Sequence, residues 1–91
     1  MSTSRFASLD KQTIAVEMDI KGRHVHLSGV AEYDRLSDLG AVLKIHVADA
    51  AGDFELVLRE DRWKGKIEED RQSGCHFRIC LAASDLVTQN S

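Results

Sequence analysis

Apolar and polar residues alternate between Ile14 and Leu81 in six short runs, the period-two signature of strands with one face buried and the other in water. The runs are Ile14, Val16, Met18 and Ile20; Val25, Leu27, Ala31 and Tyr33; Leu43, Ile45 and Val47; Phe54, Leu56 and Leu58; Trp63 and Ile67; and Phe77, Ile79 and Leu81. Proline is absent, and Gly22, Gly40, Gly52 and Gly74 punctuate the pattern between runs, where turns need them. The pattern predicts a single all-β domain, residues 1–91, with an ordered core over about residues 13–82. A sheet apolar on one face must cover that face, and little of the chain reads as helix. The expected architecture is a six-stranded antiparallel meander closing as a small barrel or sandwich. Met1–Gln12 and Ala83–Ser91 do not alternate; they are expected to be frayed, with at most a short helical turn capped by Ser84.

Parity also restricts register, because directly opposed residues of antiparallel strands share a face. A two-residue turn at Lys21-Gly22 sets Met18 opposite Val25 and Val16 opposite Leu27 on the inner face. Outside, it pairs Asp19 with His24 and Glu17 with His26. The same reasoning places Tyr33 opposite Leu43, Val47 opposite Phe54 and Ile45 opposite Leu56, so that His46 meets Glu55 across a loop from Ala48 to Asp53. In the last hairpin, Ile67 opposite Phe77 sets Glu68 against His76. Every histidine then faces a carboxylate, and each is expected to titrate above its unfolded value. Such cross-strand pairs contribute roughly 0.2–1 kcal/mol apiece, and sheet stability alone accounts for them.

Composition narrows the function. Twelve basic residues are scattered among fifteen acidic ones, for a net charge of -3, so the basic stripe of a nucleic-acid binder is missing. No leader-like segment opens the chain and no apolar run reaches membrane length, which gives the expectation of a cytoplasmic protein. Cys75 and Cys80, on one strand, would lie roughly 16 Å apart on opposite faces, so they are read as reduced thiols.

Candidate chemistry is sparse. His24-Val25-His26 has the alternate spacing by which one strand presents two imidazoles to a metal, and Glu17 or Asp19 can complete the set. His46 falls opposite Val30, roughly 13 Å along the sheet from His26, too far to share an ion. Trp63, flanked by Arg62 and Lys64, is either a core residue or an interface anchor. Asp49, Gly52 and Asp53 lack the alternating oxygen ligands of a calcium loop. Asp34, Ser37 and Gly40 are out of step by one residue with the D/N-x-S-x-x-G pattern of PilZ domains, and no R-x-x-x-R precedes them, so that family is not assigned. No nucleophile motif or phosphate loop occurs, and His76 and Cys80 are too far apart on one strand to act together.

The resulting expectation is a non-enzymatic module without a cofactor. It binds a protein partner of basic surface through its acidic, mixed polar sheet face or an edge strand, which can also pair with a second copy as a homodimer. The alternative is a small barrel that holds a metal ion or small ligand on its His24/His26 face.

Overall fold

The first hairpin forms as its turn residues require. Lys21 and Gly22 both adopt positive φ, 50° and 79°, the pair of left-handed residues that lets a two-residue connection follow the twist of its strands. They join β1 (Thr13–Ile20) to β2 (Arg23–Ser37), and the register is the expected one, with Met18 opposite Val25 and Glu17 opposite His26. This computed structural model describes residues 5–49, 52–69 and 75–87. The remaining strands are β3 (Gly40–Asp49), β4 (Gly52–Arg59), β5 (Ile67–Glu69) and β6 (Phe77–Ala82).

The strands make one sheet in the order β4-β3-β2-β1-β6-β5. The protein is all-β, but it is not the expected meander. β6 returns to lie beside β1, and the two run parallel, with Glu17 level with Cys80 and Val16 level with Ile79. All other pairings are antiparallel. Nor is the sheet closed by a ladder between β4 and β5. Among the described residues, only the segment after β6 reaches back to β4, through a bridge between Leu58 and Leu86 and a bond from the Val87 amide to the Val57 carbonyl.

The inner face collects the expected alternation. Ile14, Val16, Met18, Leu43, Ile45, Val47, Leu56, Leu58, Ile79 and Leu81 form one buried cluster, with Leu27, Tyr33 and Ile67 packed against it. The termini extend this core beyond residues 13–82. Phe6 precedes the 3-10 turn Ala7–Leu9 and Leu9 ends it, and both are fully buried, while Leu86 packs on the cluster beyond a second such turn, Ala83–Asp85. The N-terminal segment was expected to fray because it does not alternate. A spacing of three instead puts Phe6 and Leu9 on one side of a tight turn, where they cover part of the apolar face.

Three strand residues depart from their expected face, the first being Ala15, which has outward parity but is 5% exposed between Ser28 and Arg78. Val42 has outward parity, yet is completely buried between its partners Asp34 and Arg59. Phe54 has inward parity but is 39% exposed, at the end of β4 next to the β3–β4 turn. That turn is tighter than the six-residue loop expected from sequence, because Ala48 pairs with Asp53 and Asp49 with Gly52. Its two remaining residues, 50 and 51, lie outside the described set, as do Asp70–Gly74 between β5 and β6.

Candidate metal centre

The outer face of β1 carries Glu17 at its middle, and the sheet order surrounds that carboxylate with donors. His26 stands directly across on β2 and Cys80 directly across on β6, so His26, Glu17 and Cys80 form a row across three adjacent strands. His24, two residues along β2, reaches the same point diagonally. Nε2 of His26 lies 2.6 Å from Glu17 Oε1, and Nε2 of His24 lies 3.9 Å from the same oxygen. One ligand atom from each of Glu17, His24 and His26 falls within 4.8 Å of the others. The two imidazoles meet edge to face, centroids 5.8 Å apart.

The surroundings of these three residues orient them. Nδ1 of His24 lies 2.9 Å from Asp19 Oδ1. If it donates there, Nε2 keeps its lone pair in the neutral ring and faces Glu17. This carboxylate behind an imidazole is the usual outer-shell device of metal-ligating histidines. Glu17 is held from the opposite side, where the Cys80 thiol donates to Oε2 at 3.5 Å and an Arg78 guanidinium nitrogen sits 3.8 Å from Oε1. Arg78 is also bound to Glu68 at 2.7 Å. The Glu17 side chain is 17% exposed, whereas those of His24 and His26 are more than half exposed, so the centre is a shallow one on the sheet surface.

The charges respond to this packing. Partial desolvation pushes the Glu17 carboxyl upward, but the Cys80 hydrogen bond, Arg78 and His26 together outweigh it and leave it below the ordinary carboxylate value. The bond to Asp19 raises His24, with Glu17 adding to the effect. Burial, followed by the neighbouring Glu17, raises the Cys80 thiol.

The backbone beneath is braced from the core side. Trp63 is 1% exposed, stacks on Phe6 with ring centroids 5.3 Å apart, and donates its indole N–H to the Cys80 carbonyl at 3.3 Å. Beyond Ile79, β5 no longer accompanies β6, and the indole satisfies a carbonyl there. Arg5 lies 4.7 Å over the Trp63 ring and donates to the carbonyls of Trp63 and Gly65. Trp63 is therefore the core residue of its two readings and offers no exposed ring to a partner. Only its neighbours Arg62 and Lys64 are exposed.

The other histidines do not join the centre. His46 stands opposite Val30 and Glu55 as expected, with its two ring nitrogens 3.3 Å from Glu32 and 3.1 Å from Glu55. His76 does not meet Glu68. Ile67 pairs with Ile79 instead of Phe77, which moves Glu68 opposite Arg78, and His76 pairs with Gln12 at 2.6 Å. Both cysteines are free thiols. Sequence reasoning did not bring Cys80 to Glu17, because that proximity depends on the parallel return of β6.

No protein-family model matches the chain, and comparison with curated proteins and solved structures gives no match. No helix among the described residues is long and apolar enough to cross a membrane.

Proposed function

We propose that this protein is a small binding module whose sheet face takes a divalent transition-metal ion of the zinc class through Glu17, His24 and His26. The observation that carries the reading is the convergence of those three ligand atoms within 4.8 Å on two adjacent strands, with Asp19 already behind His24. Two imidazoles and one carboxylate suit zinc, which prefers nitrogen and oxygen donors at about 2.0–2.2 Å. A hard cation such as magnesium or calcium would call for more oxygen. The short contact from His26 to Glu17 is bridged by a proton in the metal-free protein, and an ion replaces that proton. Binding, with no turnover, is the proposed activity.

Calorimetric titration of zinc into the reduced protein tests this. One ion per chain is expected to bind, with His26→Ala and Glu17→Gln each weakening it at least tenfold and Asp19→Asn weakening it about 10- to 100-fold. Absence of binding, or equal affinity in the His26→Ala protein, would overturn the reading.

A second reading rests on a different place. The partly exposed Phe54 borders a depression of about 560 Å³ lined by His46, Val47 and Ala48 of β3 and their partners Glu55, Phe54 and Asp53 of β4, at the end of that hairpin. A segment with basic side chains suits this acidic, partly apolar surface. Binding of a lysine-containing peptide, weakened by salt and by Glu55→Lys, would support the reading; no binding at low salt would refute it.

A further inference from the structure

We infer that Cys80 supplies the fourth ligand to the Glu17, His24 and His26 centre, making it a closed tetrahedral site in which one thiolate, one carboxylate and two imidazoles hold a zinc-class ion. The inference rests on the metal reading above and adds to it a ligand from a third strand.

The sheet order carries the geometry. Cys80 and His26 flank Glu17 on opposite sides, on the same face and in the same row, so an ion bound to the carboxylate lies between a sulfur and two nitrogens. In a tetrahedral zinc site, a sulfur at about 2.3 Å and an oxygen at about 2.0 Å from the ion are about 3.5 Å apart. The Cys80 sulfur lies 3.5 Å from Glu17 Oε2. A nitrogen and an oxygen sharing such an ion are about 3.3 Å apart, and the two histidine nitrogens bracket that value at 2.6 and 3.9 Å from Oε1. Histidines and thiol approach different oxygens of one carboxylate, and Cys80 lies outside the 4.8 Å cluster formed by the other three, so the carboxylate, the thiol and the exposed imidazoles must turn toward one another to enclose the ion. The Cys80 backbone is fixed from below by the Trp63 indole. On binding, the thiol proton leaves to solvent and the thiolate takes the coordination position.

A thiolate among the ligands sets the class of ion. It favours zinc, cobalt and other thiophilic ions and discriminates against magnesium, calcium and manganese. With four protein ligands no position stays open for a reacting water, so the site is structural. It clips the C-terminal strand β6 to the β1–β2 hairpin.

Cobalt(II) titration of the reduced protein, followed by absorption spectroscopy, tests the inference. A near-ultraviolet thiolate-to-cobalt charge-transfer band is expected together with intense tetrahedral visible bands. The charge-transfer band should vanish in Cys80→Ser while visible cobalt bands persist, and it should be unchanged in Cys75→Ser. Cobalt binding without a charge-transfer band in the parent protein, or a band lost in Cys75→Ser and kept in Cys80→Ser, would overturn the assignment of Cys80 and leave the three-ligand site standing. No cobalt or zinc binding would remove both.

Discussion

A single carboxylate organises the chemistry of this molecule. Glu17 accepts from His26 and Cys80 and lies beside Arg78 and His24, and no other described side chain combines so many donors. His24 is raised above the ordinary histidine value by its bond to Asp19. A raised histidine contributes stability that is fully present below its unfolded value, about 6.5, and lost as pH rises through the folded one. Glu17, lowered, contributes stability above its unfolded value that is lost as pH falls through the folded one. Asp19→Asn should move the His24 midpoint down toward the ordinary histidine value in an NMR titration; an unchanged midpoint would show that the pair does not form. Zinc competes with the His24 proton, so its affinity should climb as pH rises through that midpoint, and with Cys80 as a ligand it should keep climbing above it, because the raised thiol must also give up its proton.

The elements show which parts of this arrangement were legible in the chain. The β1–β2 register was, because parity allowed few alternatives and the Lys21-Gly22 turn selected one, which brought Glu17, His24 and His26 together on paper. The β2–β3 and β3–β4 registers followed in the same way. The β5–β6 register was missed by two residues because a shift of two keeps Ile67 and Ile79 on the inner face, so parity is blind to it, and no two-residue turn was there to decide. Parity is equally blind to whether distant strands run parallel, so neither the β1–β6 pairing nor the place of Cys80 could be read. Phe6 was missed because only its packing against Trp63, not its sequence pattern, makes it core.

That N-terminal contact gives two further expectations at this scale. Phe6→Ala should destabilise by about 3–5 kcal/mol in denaturant unfolding, the usual cost of emptying a buried aromatic site. A loss below about 1 kcal/mol would mean that the segment is not docked. Gly65 lies under the Trp63 ring, where an added Cβ would come within 2.6 Å of the indole nitrogen. Gly65→Ala should therefore cost about 1–3 kcal/mol through overpacking, and a neutral result would contradict the close approach.

For the whole molecule, ninety-one residues in an open mixed sheet leave a thin margin of stability. The apolar face is covered in part by the Phe6 and Leu9 turn, by Trp63 and by the segment around Leu86, with no closing ladder between the edge strands among the described residues. An ion joining strands from both ends of the chain would add to that margin by mass action. At a hundred times its dissociation constant, free zinc contributes about 2.7 kcal/mol, which in a domain of this size raises Tm by roughly 10–20 °C. The increment should fall to about half or less in His26→Ala, whose affinity is at least tenfold weaker. Magnesium at the same concentration should give no shift.

The most direct test is a long-range proton–nitrogen correlation spectrum of the imidazole rings, recorded before and after one equivalent of zinc. Nε2 of both His24 and His26 should move to metal-bound shifts while Nδ1 of His24 stays protonated against Asp19, with His46 and His76 unmoved. Rings of His24 and His26 that do not respond to zinc, or respond no more than His46 and His76, would contradict the assignment of this sheet face as a metal centre.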